Sequence, residues 1–147
     1  MRIYFDVCCL NRAFDDQTQQ RVRLETEAID AILDLCLAGE HDWIASAAVE
    51  DELSRDPDQE RREQSLALLK DAAEILTLTP AVAPRAAAIG SVGVGWFDAL
   101  PLALAEASRC AVLLTTDDVF LQRVRRLIPP SVVSVENPLQ WWMENIR

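Results

Sequence analysis

The chain has no C-x-x-C pair and a single histidine, His41, so it lacks soft ligands at the intervals a structural zinc site requires. Nor do Cys8, Cys9, Cys36 and Cys110 suggest a disulfide framework: Cys36 and Cys110 fall inside apolar runs and are expected as small core residues in a reducing cytoplasm. No apolar run approaches the ~18 residues of a membrane span. The N-terminus opens on a predicted strand, Arg2 to Phe5, that leads straight into Asp6 and Cys8, so neither a signal peptide nor an anchor is expected. Internal repeats and low-complexity tracts are absent as well. The shortage that matters most is of positive charge. Lys and Arg number 14 against 24 Asp and Glu, a net charge of −10, whereas proteins that bind phosphates normally show a basic footprint. The excess acid must either converge on divalent cations or solvate helix surfaces.

What is present suits one globular domain. With 147 residues, half of them hydrophobic and 26% charged, the chain is long enough to bury a core and too apolar for disorder, and one domain over residues 1–147 is expected. Short β-rich runs alternate with longer helical patterns, which predicts an α/β fold with a parallel sheet and helices on its faces. The expected strands are residues 3–5, 43–45, 75–78, 112–114 and 132–135. Ile29, Ile32, Leu33, Cys36 and Leu37 mark one helical face, closed by Gly39. Ser46 is positioned to cap a helix through Val49 and Leu53 to about Arg55; Asp56-Pro57-Asp58 breaks the chain, and residues 59–73 resume helically. A glycine-containing stretch, residues 90–95, precedes a helix over residues 98–108. Proline lacks an amide and fits a first turn, so Pro101 predicts Asp98 at or near the cap. After Asn137-Pro138, a short helix carries Trp141 and Trp142, which either cover the core or a partner surface or stack bases.

Ligands of such sheets bind outside the carboxyl ends of the strands, so acids at those ends are the candidates for chemistry. Asp6 directly follows the first strand, Glu52 lies one helical turn past the second, Asp98 opens the helix leading to the fourth, and Asp117 follows that strand through Thr115-Thr116. Taken singly, Asp98 and Asp118 could cap helices, Glu52 could be a solvated helix acid and Asp117 could form an Asx-turn. Asp6 is different: an acid ending an apolar strand beside Cys8 and Leu10 is expensive to bury without a cation or donors.

The order of the segments adds to this. Tyr4-Phe5-Asp6-Val7-Cys8-Cys9-Leu10-Asn11-Arg12, then Ser46-x-x-Val49-x-x-Glu52-Leu53, then Asp98-Ala99-Leu100-x-Leu102-Ala103, then Thr115-x-Asp117-Asp118 resembles the PIN-domain family of metal-dependent nucleases, from Arg2 to about Pro138. The resemblance implies a three-layer α/β/α sandwich around a central parallel sheet, and Mg²⁺- or Mn²⁺-dependent cleavage of single-stranded RNA. Many members are VapC-type toxins of toxin-antitoxin pairs, so a small antitoxin partner and a homodimer are further expectations. By position, Asp6, Glu52, Asp98 and Asp117 become the metal-binding catalytic acids, with Asp118 in reserve. Glu50 competes with Glu52, but the pattern places its acid immediately before a Leu, as in Glu52-Leu53. One departure is Pro101, which stands where the family often has a histidine. That bears on substrate positioning more than on metal binding.

The expected chemistry is hydrolysis of a phosphodiester by activated water, without a covalent intermediate. Asn11, Arg12, Thr116 and Asp118 are candidates for contacting substrate, and Arg55, Arg61 and Arg62, or Arg123, Arg125 and Arg126, for a local basic rim. Two other functions compete. A Mg²⁺-dependent phosphatase with Asp6 as nucleophile would want a second Asp where Cys8 stands, and a catalytically silent PIN-like binding module would not need all four acids.

Overall fold

The run at the N-terminus forms β1 (Arg2–Phe5), in which Ile3, Tyr4 and Phe5 are completely buried, the continuous apolar pattern of a parallel strand covered on both faces. The computed structural model describes residues 1–145. After β1 come α1 (Val7–Asn11), a 3-10 turn at Arg12–Phe14, α2 (Gln20–Leu37), β2 (Asp42–Ser46), α3 (Ala47–Ser54), α4 (Gln59–Leu69) and β3 (Glu74–Leu76). A second 3-10 turn at Pro80–Val82 leads to α5 (Ala83–Gly90), α6 (Trp96–Ala107), β4 (Val112–Leu114), α7 (Asp118–Val124), β5 (Ser134–Glu136) and α8 (Pro138–Asn145). All five strands are parallel, in the order β3-β2-β1-β4-β5, and helices flank the sheet as expected. Among the described residues no helix is long and apolar enough to cross a membrane.

Strand order decides where a site can form. The chain moves outward from β1 to β2 and β3, then crosses back to lay β4 on the other side of β1, with Phe5 opposite Leu114. Order therefore reverses between β1 and β4, and the carboxyl ends of these two strands are where the ligand crevice of such a sheet forms. Pairing continues one residue into it: the Asp6 N–H donates to the Leu114 carbonyl at 2.9 Å.

The helices follow local rules. α2 buries Val22, Ala28, Ile29, Ile32 and Leu33 and ends in a Schellman motif: Gly39, at φ +82°, donates to the Cys36 carbonyl at 3.1 Å, and Glu40 to that of Leu35 at 3.0 Å. α2 packs against α8, whose Trp141 is buried edge-on to His41. A buried carboxylate, Glu25 at 1% exposure, joins these elements. It accepts from Arg12 Nη2 at 2.6 Å, Arg21 Nε at 3.3 Å and Asn137 Nδ2 at 2.5 Å.

Several expected boundaries move. β3 and β5 are Glu74–Leu76 and Ser134–Glu136, and α4 stops at Leu69. The larger correction concerns α6. It begins at Trp96 with Gly95 as its cap, and the Asp98 and Ala99 amides donate to the Gly95 carbonyl at 3.0 and 2.8 Å. Asp98 is thus in the first turn without capping it, and Pro101 lies inside the helix. The proline withholds the amide that would reach the Phe97 carbonyl, a loss confined to one bond near the helix start.

Candidate functional site

Asp6 links β1 to α1. Its Oδ1 accepts from the Val7 N–H at 2.9 Å, its Oδ2 accepts from the Thr115 hydroxyl at 3.0 Å, and only 8% of the residue is exposed. Thr115, at 1% exposure just past β4, is the joint of the crevice: its oxygen also accepts from the Asp117 N–H at 3.1 Å and lies 3.3 Å from Cys8 Sγ. Asp117 caps α7, its Oδ1 accepting from Val119 and Phe120 at 3.0 and 3.1 Å. That use occupies one carboxylate oxygen; among the described residues the other accepts no hydrogen bond.

The other two acids come from helices. Asp98 is half-buried in the first turn of α6, and Glu52 stands exposed in α3, which Ser46 caps by accepting from Val49 at 3.3 Å. Glu50 lies on a different side of α3, lining a groove with Leu66, Lys70 and Ile75. The helix therefore presents Glu52, not Glu50, toward Asp98.

The carboxyls feel one another. Burial pushes the Asp6 carboxyl well above the usual range, and negative charge at Cys8 and Asp98 adds to it. Partial desolvation of its carboxyl, then the charge of Asp98, raises Glu52. Burial, then Asp117, raises Asp98, against a smaller opposing effect of Arg123. Cys8 lies 3.4 Å from Asp6 Oδ2, and donors from Cys9, Thr115 and Thr116 hold its thiol down to about 5. Asp6 and Cys8 thus compete for negative charge, and Asp98 connects Asp6, Glu52 and Asp117 electrostatically.

Among the described residues, no three His, Cys, Asp or Glu side chains form a ready-made metal cage. The donor chemistry nevertheless fits a hard cation. Asp6, Glu52 and Asp98, whose carboxyls are held above the usual range, together with Asp117 offer hard oxygen donors that suit Mg²⁺ or Mn²⁺, and Mg²⁺ keeps several waters and takes only one or two carboxylates directly.

The expected substrate contacts are dispersed. Asn11 Oδ1 accepts from Ser65 Oγ at 3.4 Å, tying α1 to α4. Arg12 is engaged by Glu25 and by Asp15 at 3.1 Å. Asp118 turns from Asp117 to a two-pronged pair with Arg21 at 2.8 and 2.9 Å. Thr116 donates its N–H to Cys8 Sγ at 3.3 Å, and its carbonyl accepts from Arg21. Of the basic rim, Arg55 pairs with Asp51, Arg61 pairs with Asp56, and Arg62 donates to the Asp56 carbonyl. Among the described residues Arg123, Arg125 and Arg126 form no ion pair. Thr115 and Cys8 are the site residues that sequence patterns did not single out. Their signal is register: only pairing β1 with β4 shows that residue 115 falls beside Asp6.

The sequence matches the family model described as PIN domain over residues 3–127. Among curated proteins we found no match. Twelve chains of solved structures match the fold. One of them belongs to VapBC2 from Rickettsia felis, bound to a DNA fragment from their promoter, with a TM-score of 0.62 and 15% identity over 93% of this chain and 98% of that one. The family match runs from β1 through α7 and so includes every segment that brings an acid to the crevice; the chain belongs to the PIN-domain family.

Proposed function

We propose that this chain is a metal-dependent endoribonuclease that hydrolyses single-stranded RNA, acting in the cytoplasm as one domain over residues 1–147, with Asp6, Glu52, Asp98 and Asp117 as its catalytic acids. PIN domains are generally nucleases. The observation that carries the assignment is the electrostatic chain through Asp98: Asp117 raises its carboxyl, and it raises those of Asp6 and Glu52 in turn. Such an arrangement costs free energy in the bare protein and is relieved by a cation.

Each residue has a task. Thr115 and the Val7 amide fix both oxygens of Asp6, so its carboxylate is held ready rather than rotating. Asp117, locked to α7 by one oxygen, offers the other. Asp98 and Glu52 are more open and suit ligation through water or proton transfer at the attacking or leaving oxygen. When bound, Mg²⁺ or Mn²⁺ makes water more acidic and offsets charge on the phosphate. Asn11 and Thr116 remain the better substrate contacts, because Arg12 and Asp118 are already paired. The VapBC2 neighbour supports a small antitoxin partner, and a homodimer completes the proposed assembly.

The test is cleavage of a mixed single-stranded RNA pool with and without Mn²⁺, together with thermal unfolding under the same conditions. Mn²⁺ should stabilise the parent and start cleavage, and Asp6→Asn should abolish both responses. Cleavage that persists in EDTA or in Asp6→Asn would remove this assignment.

A further inference from the structure

Nine aromatic residues occur in the chain, one Tyr, four Trp and four Phe, and most pack against the core. Two consecutive ones do not. Trp96 is 52% and Phe97 65% exposed, and they open α6 immediately before Asp98. Leaving two consecutive large rings half or more exposed forfeits up to roughly 1.5–3 kcal/mol of burial for each, which makes them candidates for a contact outside the fold. Their surroundings narrow the choice. The preceding segment turns at Gly93, at φ +89°, and Arg123 Nη1 donates to the Gly93 carbonyl at 2.9 Å. Arg123 also acts on Asp98 and is in no ion pair among the described residues. A cation reaching over from α7 without an acidic partner among the described residues, two exposed rings and a carboxylate of the acid cluster therefore meet at the loop before α6 and its first turn.

The geometry points to Trp96 and Phe97 as a stacking platform for the bases of single-stranded nucleic acid whose phosphate reaches Asp98. This rests on the nuclease proposed above and names how its substrate is held. Stacking is the affinity source available to a protein of net charge −10, because every base has a π-face and stacking needs no basic surface. Arg123 supplies the local positive charge for the backbone beside the rings. A paired duplex hides its base faces, so the platform also selects single strands.

Binding of fluorescein-labelled RNA octamers, followed by anisotropy in EDTA, tests the platform apart from the acids' chemistry. Trp96→Ala and Phe97→Ala should each weaken binding roughly five- to hundredfold, and Trp96→Phe and Phe97→Tyr should restore most of it. An octamer with one abasic position should lose affinity for the parent yet bind Trp96→Ala almost as the intact octamer does. Duplex RNA should not compete, and the salt slope should be shallow, between about −0.7 and −2 for one to three phosphate contacts. In Mn²⁺, turnover by the ring variants should show raised KM with kcat within about twofold of the parent. No binding by the parent, or unchanged affinity and KM in the double variant, overturns the platform. So does conversion of a dimer to monomer by light scattering with affinity per chain unchanged, which assigns the rings to a second copy. Ring-dependent binding without Mn²⁺-dependent cleavage keeps the platform and removes the nuclease; unaltered cleavage by the double variant does the reverse.

Discussion

Replacing Thr115 with valine removes one oxygen and almost no volume, yet that oxygen is the only described group touching both Asp6 and the Asp117 amide. A hydrogen bond to a carboxylate contributes about 1.5–3 kcal/mol, and leaving the part-buried Asp117 N–H without an acceptor costs about 1 kcal/mol more. The added methyl at this buried position returns up to about 1 kcal/mol. The expected net loss is about 2–3 kcal/mol, which lowers Tm by about 5–10 °C for a domain of this size. Losing the donor also lets burial push the Asp6 carboxyl higher, and substitution of such supporting partners commonly reduces metal affinity or activity about 10–100-fold. Thr115→Ser separates the two effects. It sacrifices a buried methyl, at about 1 kcal/mol, but keeps both hydrogen bonds, so it should lower Tm while retaining cleavage. The measurements are thermal unfolding with and without Mn²⁺ and the initial rate on single-stranded RNA. If Thr115→Val kept the parental rate and Mn²⁺-induced shift, Thr115 would be a packing residue and nothing more.

Asp98→Asn should leave the metal-free Tm unchanged or slightly raised, because Gly95 caps α6, while Mn²⁺ stabilisation and cleavage fall together; an intact Mn²⁺ response would exclude Asp98 as a ligand. Glu25→Ala should destabilise by about 1–3 kcal/mol, since Arg12 and Arg21 keep Asp15 and Asp118 but the Asn137 amide loses its acceptor; denaturant unfolding reads this, and no measurable loss would show that the network is not supporting α8. The raised carboxyl of Asp6 fixes the sign of a pH effect in the metal-free protein. A group held above its unfolded value contributes stability that is complete below about pH 4 and is lost as pH rises through the folded value. Relative to the parent, Asp6→Asn should therefore become progressively more stable from about pH 4 toward neutrality, as parallel melting series would reveal; a difference of opposite slope would contradict the raised value.

The parallel sheet and the helices on its faces were legible from alternating apolar runs, whereas spacing alone suggested only a divalent-metal site and the choice of Asp6, Glu52, Asp98 and Asp117 came from the resemblance to PIN domains. Strand pairing supplied what spacing did not. Thr115 and Thr116 look alike as hydroxyls after an apolar strand, and only the register of β1 with β4 places the first beside Asp6 and leaves the second facing Cys8 through its backbone. Charge was misleading for a similar reason. Arg12, Arg61 and Asp118 count as available groups in a sequence, but in the fold each meets an opposite charge. Pro101 marked a helix start correctly to within a turn. It could not reveal that Gly95, two residues before Phe97, would take the extended conformation that starts α6 early.

The placement of β4 fixes when the surroundings of Asp6 become complete. β1 pairs with β2 on one side as soon as both exist, but its other edge stays open until residues 112–114 arrive, and with them Thr115 and Asp117. During synthesis from the N-terminus, Asp6 therefore waits through most of translation for the hydroxyl that orients it. A ribosome-bound chain lacking that strand can hold Asp6, Glu52 and Asp98 and still leave Asp6 without its Thr115 partner and the acid cluster without Asp117.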